Sequence, residues 1–293
     1  TTGYWSLQGA AQHAISAVEI AIWDCKAQLA GVPLYRLLGY EGEAPRLKLY
    51  GSGGDSSTPE AMSVEFEAIK QLNIDNFKIR ARKNDVNKAR WCLRQGVNDG
   101  IQIAIDMTQN LAIPSQSIED VLEFLDSIEN TEHISFIEEA FGPDSIEYFP
   151  RLCQETDVPV AGGEIVTTFR ELRSRIEANY YDIVQPDATV IGGIQPIIDL
   201  FDVTRELDTE IYVHCWGGPV GMMANYHAAV AGGGQVAEWP IPHFELRNKL
   251  VKDKWNIQNG YLQLSDSPGL NVQLTKAIEE EFTFRDDAIY DCV

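Results

Sequence analysis

From about residue 45 to residue 240, eight short apolar runs alternate with seven amphipathic stretches, and few architectures accept such an order. The runs are Leu47–Tyr50, Asn76–Ile79, Ile101–Ile105, Ile134–Ile137, Val158–Ala161, Asp182–Val184, Ile211–His214 and Val236–Trp239. Their length and apolar content predict buried strands. Neighbouring runs start 24 to 33 residues apart, the span of one strand, one helix and two loops. The stretches between them predict helices over Thr58–Leu72, Asp85–Gly96, Ser117–Ile128, Glu147–Glu155, Thr168–Ala178, Gln195–Leu207 and Gly221–Ala231. Asp85, and Ser117 followed by Asp120, are expected helix caps. This order predicts a closed (β/α)8-type barrel, although periodicity alone also admits an open doubly wound sheet.

An earlier helix over Ala11–Leu29 could close the ring. Its apolar residues Ala14, Val18, Ala21, Ile22 and Cys25 recur at helical spacing and predict its packing face. The segment Gly31–Gly39, with Pro33, ends it. After residue 240 the pattern fades into Pro, Asn and Gly, which predicts a tail laid over another part of the molecule.

The 293 residues are 44% hydrophobic, enough for a substantial core. The net charge is −21, from 44 acidic and 23 basic residues. That balance argues against nucleic acid, whose phosphates require Lys and Arg, and against an anionic membrane surface. It fits a highly solvated acidic exterior, such as a salt-rich habitat favours. No run of eighteen apolar residues and no leader are visible, so a cytoplasmic location without a membrane partner is expected. The start, Thr1-Thr-Gly-Tyr-Trp5, lacks Met and reads as part of something longer. The five cysteines, Cys25, Cys92, Cys153, Cys215 and Cys292, are odd in number and form no CxxC pair, so reduced thiols are expected.

Three acids stand at the ends of successive runs: Asp106, Glu138 and Glu164. A buried carboxylate is costly unless a positive charge offsets it. Three of them, one strand–helix unit apart, point to a shared hard cation, and oxygen ligands favour Mg2+ over zinc or copper. Lys78, Arg80, Asp187, His214 and Glu238 also fall at strand ends, where barrels gather their chemistry. Each has an ordinary alternative: a surface acid, a turn residue at Asp187, a core histidine at His214, structural ion pairs at Lys78 and Arg80. Together they fit proton abstraction beside a substrate carboxylate. The cation and Lys78 would stabilise the enediolate, His214 would be the base with Asp187 orienting its ring, and Glu238, if protonated, would donate to the oxyanion. A thiol enzyme using Cys215 is disfavoured, because adjacent strand residues point to opposite faces.

The residues resemble the enolase superfamily, and its mandelate racemase subgroup in particular. The matching pieces are Ser16-Ala-Val-Glu-Ile-Ala-Ile-Trp-Asp24, Phe77-Lys-Ile-Arg80, Ile105-Asp-Met-Thr-Gln109, Phe136-Ile-Glu-Glu139, Gly162-Gly-Glu164, Gln185-Pro-Asp187 with Ile191-Gly-Gly193, Val213-His-Cys-Trp-Gly217 and Ala237-Glu-Trp239. The resemblance implies an α/β modified TIM barrel of (β/α)7β type with a remnant of an N-terminal capping domain. The remnant and linking helix would span 1–40, the barrel 41–240, and a C-terminal tail returning toward the cap 241–293. It implies Mg2+ held by Asp106, Glu138 and Glu164, an acid/base dyad of His214 and Asp187, a hydrogen-bond donor in Glu238, and a substrate-carboxylate contact in Lys78.

Several positions depart from the family's pattern. Thr108 stands where Asn commonly follows the first metal ligand, and Ala140 where Pro commonly follows the two acids. Arg80 replaces the second Lys of the Lys-x-Lys motif, and Arg stays protonated at ordinary pH. One-base chemistry is favoured, and the resemblance then implies a hydro-lyase that dehydrates an aldonic or aldaric acid to a 2-keto-3-deoxy acid. The alternatives are a racemase, epimerase or lactone cycloisomerase on the same scaffold, or a catalytically silent barrel, since most of the cap is absent from the chain. The expected partners are a small carboxylate substrate and further copies of the chain.

Overall fold

The apolar runs become strands that each pair with the next, and the last returns to the first. The computed structural model describes residues 7–207 and 209–283. Among these, parallel strands β1 (Arg46–Ser52), β2 (Asn76–Arg80), β3 (Gln102–Asp106), β4 (Ile134–Glu138), β5 (Val160–Gly162), β6 (Ile183–Val184), β7 (Glu210–Val213) and β8 (Val236–Pro240) pair in chain order. The pairings of β1 with both β8 and β2 close the ring. The sheet is therefore a modified TIM barrel, not an open doubly wound sheet. The register sets Arg80, Asp106 and Glu138 level on β2, β3 and β4.

Helices α1 (Ala10–Ala30), α2 (Leu34–Leu37), α3 (Pro59–Gln71), α4 (Val86–Asp99), α5 (Ile118–Ser127), α6 (Phe149–Glu155), α7 (Phe169–Glu177), α8 (Ile194–Thr204) and α9 (Pro219–Gly232) complete the main chain order. One apolar cluster lies between barrel and helices. A second fills the barrel itself, with Tyr50, Ala104, Phe136, Ala161 and Ile183 buried there. The rings of Tyr50 and Phe136 meet edge to face at 5.5 Å, so the interior is packed rather than open. Ser117 and Asp120 form the expected capping box on α5, with hydrogen bonds of 3.1 and 3.0 Å. Asp85 precedes α4 but does not cap it; its Oδ2 accepts from Arg82 N at 2.8 Å instead.

The packing face expected for α1 is corrected by the structure. Ala14, Val18, Ala21, Ile22 and Cys25 are exposed, while Ser16, Ile20 and Ala27 are buried. Helical spacing allowed either stripe; contact with α8 and α2 selects the one through Ser16 and Ala27. The region after residue 240 is also more regular than its composition predicts. Strands β9 (Asn256–Gln258) and β10 (Tyr261–Gln263) form a hairpin, and β10 runs antiparallel to the first half of β1. Asn259 and Gly260, both at positive φ (52° and 76°), make its two-residue turn. Short helices α10 (Glu245–Lys249) and α11 (Lys276–Glu281) also lie in this tail.

Cys25, Cys92, Cys153 and Cys215 are free; Cys292 lies outside the described residues, as do the chain's first six. Among the described residues no helix is long and apolar enough to cross a membrane.

Candidate active site

Every polar residue expected at a strand end lies at the same mouth of the barrel. Lys78 and Arg80 share a face of β2. Asp106 and Glu138 end β3 and β4, Glu164 follows β5, Asp187 follows β6, His214 follows β7, and Glu238 lies in β8. Lys78 is buried between two carboxylates, Glu138 and Glu238, with Glu238 Oε1 at 2.9 Å. Gln185 Nε2 donates to the other oxygen of Glu138 at 2.5 Å. His214 Nδ1 meets Asp187 Oδ2 at 2.8 Å, and its Nε2 lies 3.3 Å from Glu164 Oε2 and 3.8 Å from Glu238 Oε2. Asp187 Oδ1 accepts from Thr189 N, Thr189 Oγ1 and Asn225 Nδ2 at 2.7, 2.8 and 2.9 Å, so the dyad's acid is fixed.

The charges at this mouth do not balance. Asp106, Glu138, Glu139, Glu164, Asp187 and Glu238 face Lys78, Arg80 and His214. Burial, with the charge of Glu164 nearby, lifts Asp106 to about 6 even against Lys78 and Arg80. Burial, with Asp106 and Glu164 adding to it, drives Glu138 well above the usual carboxylate range. Burial and Glu164 lift Glu139 to about 8. For His214, burial pulls downward, but Glu164, Glu238 and Asp187 outweigh it and lift the imidazole to about 10. Burial would likewise raise Glu238, yet Lys78 and His214 hold it below its ordinary value. Glu238 is thus a carboxylate here that accepts from Cys215 N at 2.8 Å. The protonated donor expected from the sequence is not what this arrangement stabilises.

The three acids expected to share one ion stand on neighbouring strands but are not drawn together. Among the described residues no three His, Cys, Asp or Glu side chains converge closely enough to hold a metal ion. The reason is local. Lys78 and Gln185 engage Glu138, Asn110 Nδ2 donates to Glu164 Oε1 at 2.6 Å, and Thr108 N donates to Asp106 Oδ1 at 2.7 Å. The donor set nonetheless fits a hard cation in kind. It offers oxygen only, from three successive strands, with a surplus of negative charge that an anionic substrate would worsen.

Some of these residues escaped sequence reasoning. Asn110 reaches Glu164 because Thr108 takes a left-handed conformation (φ 49°) and turns the chain inward; no periodicity signals this. Gln185 sits in a quoted motif without an assigned role. Glu139 is buried, with Oε1 accepting from Gly163 N at 2.7 Å, and the Glu-Glu doublet was its only mark. Cys215 packs outside the barrel, and burial raises its thiol well above the usual range, so it is no thiolate nucleophile.

Residues 61–278 match the family described as Enolase C-terminal domain-like, and residues 3–39 match Mandelate racemase / muconate lactonizing enzyme, N-terminal domain. The chain belongs to this enzyme family. Among its curated relatives is an arabinonate dehydratase of Saccharolobus solfataricus, 27% identical over 94% of this chain and 73% of the relative. An L-talarate/galactarate dehydratase of Salmonella typhimurium is 29% identical over 92% of this chain and 65% of the relative. A crystal structure of a protein of that name, liganded with Mg and L-lyxarohydroxamate, superposes with a TM-score of 0.78 at 27% identity, covering 93% of this chain and 67% of its own. A 3,6-anhydro-D-galactonate cycloisomerase from Zobellia galactanivorans shares the fold, with a TM-score of 0.83 at 22% identity over 95% of this chain and 78% of its own.

Proposed function

We propose that this protein dehydrates a sugar acid, aldonic or aldaric, in a Mg2+-dependent reaction that releases a 2-keto-3-deoxy acid. The observation that carries the reading is the imidazole of His214, held at Nδ1 by Asp187 and turned with Nε2 into a mouth where Lys78 is buried opposite. The sugar-acid dehydratases among its relatives support it.

Asp106, Glu138 and Glu164 are the residues that would hold the ion. When bound, a divalent cation supplies positive charge against the substrate carboxylate and the enediolate derived from it. The chain's own groups do the rest. Lys78 offers an ammonium to the same carboxylate oxygens. Asp187 accepts from Nδ1–H, which leaves Nε2 as the working nitrogen of His214. The carboxylates that favour the imidazolium also make Nε2, once it has released that proton to solvent, a strong base, and in this neutral form it takes the proton from C2. The electron pair moves into the carboxylate, and the resulting imidazolium returns the proton to the C3 hydroxyl, which departs as water. The enol then ketonises. Arg80, a permanent cation, supplies no second base, so a single-base elimination is favoured over racemisation.

Product analysis in deuterium oxide tests this. With Mg2+ and a panel of sugar acids, a carbonyl reagent should detect keto acid, and His214→Asn should lower kcat by about 10^2–10^4-fold without loss of fold. Deuterium washed into recovered substrate with no keto acid formed would contradict dehydration.

A further inference from the structure

One cation at the mouth is not used by that reaction. Arg80 stands on the face of β2 that carries Lys78, two residues nearer the strand's C-terminal end. Its side chain is 29% exposed where that of Lys78 is 4%, so one cation lies deep and the other at the rim. The guanidinium packs on the ring of Trp216, 4.5 Å from its centroid, and Phe244 braces that ring edge-on at 5.7 Å. Stacking occupies the guanidinium's face and leaves its in-plane N–H fork for an oxyanion.

A carboxylate already sits on that fork. Arg80 Nη1 donates to Asp55 Oδ2, and Asp55 lies on the loop after β1. The loop is tied from behind, since Gly54 N donates to Glu65 Oε2 at 2.6 Å and Lys88 Nζ donates to Gly54 O. Asp106 Oδ2, at 3.7 Å from Nε, is beyond hydrogen-bond range. Asp55 is itself 65% exposed, and so open an ion pair contributes little. Displacing it by a better-placed carboxylate therefore costs little.

We infer that Arg80 reads a second, terminal carboxylate, so that the substrate is a dicarboxylic (aldaric) rather than a monocarboxylic (aldonic) sugar acid. Asp55 holds that seat in the free protein. The inference rests on the dehydration reading, in which Lys78 takes the reacting carboxylate. The distances agree in scale. Two residues along a strand advance about 7 Å. The carboxyl carbons of an extended six-carbon diacid are joined by five carbon–carbon bonds of about 1.5 Å each, a zigzag of about 6 Å.

The test compares aldaric and aldonic acids of matched configuration on wild type, Asp55→Asn and Arg80→Gln, with Mg2+, reading keto-acid release and calorimetric binding side by side. Wild type should favour the diacid by about tenfold or more in kcat/KM. Arg80→Gln should bring the diacid-to-monoacid ratio toward unity. Asp55→Asn, an exposed substitution that spares the fold, should raise the ratio by lowering KM for the diacid. A ratio unmoved by Arg80→Gln, or lowered by Asp55→Asn, would overturn the assignment. The two readings fail separately. Diacid-selective binding that Arg80→Gln abolishes, with no keto acid from any substrate, removes dehydration and leaves the carboxylate seat. Keto acid released equally well from both acids does the reverse.

Discussion

His214, half-buried just after β7, and His227, buried on α9, have surroundings that push them in opposite directions. At His214 three carboxylates overcome burial and favour the cation; at His227 burial acts alone and lowers the imidazole to about 3. His227 Nδ1 accepts from Tyr35 N at 3.0 Å, and the ring stacks on that of Tyr35 at 5.4 Å. Its folded value lies below its unfolded one, so the unfolded chain takes up the proton first as pH falls. The contribution is full above about 6.5 and is lost progressively toward about 3, by several kcal/mol in order of magnitude. Denaturant titrations across that window should show a shallower fall for His227→Asn than for wild type; parallel curves would contradict this. The contrast also marks what the sequence could tell at this scale. Strand-end position located Lys78, Asp106, Glu138, Glu164, Asp187, His214 and Glu238 at one mouth. It did not tell which oxygen meets which nitrogen, because the grip of Lys78 and Gln185 on Glu138 is settled by side-chain packing across strands far apart in sequence.

At the scale of elements, two motifs quoted separately from the sequence prove to be halves of one joint. Ser16 Oγ accepts from Gly192 N at 2.9 Å, and Glu19 accepts from Ile194 N and Gln195 N at 2.8 and 3.1 Å. Gly193, at the cap position just before α8, has φ 115° and no side chain to cap the helix, and a Cβ there would stand 2.1 Å from Glu19 Oε2. A residue of α1 therefore serves as the N-terminal cap of α8, with its negative charge at the positive end of the helix. Glu19→Ala should cost about 1 kcal/mol of stability, read as a lower urea midpoint at unchanged slope; no shift would show that the contact is incidental. The eight strands were legible because each is an apolar run bounded by turn residues. The face of α1 was not, since two stripes of the helix satisfy the same periodicity and only its neighbours choose between them. The β9–β10 hairpin had a readable signal in Asn259-Gly260, but its strands are three residues each and half exposed, too short for alternation to show.

For the molecule as a whole, counting strand–helix units predicted eight strands but admitted a closed ring and an open sheet alike; the pairing of β1 with both β2 and β8 closes the ring, and the register brings charged strand ends level with one another. The net charge of −21 acts at this scale as self-repulsion of the folded state. Salt screens it, with a Debye length that falls from about 30 Å at 0.01 M to about 3 Å at 1 M. The melting temperature should therefore rise across that range of sodium chloride; indifference to salt would show that the acidic surface is not a stability term. The same surplus of negative charge is concentrated at the barrel mouth, where burial and the charge of Glu164 raise the proton affinity of Asp106 and Glu138, and the proposed divalent cation would offset it. Titration calorimetry with Mg2+ tests that most directly. The account predicts one saturable site on the intact protein that disappears in Glu164→Gln, whereas no binding at millimolar Mg2+, or binding unchanged by that substitution, would contradict it.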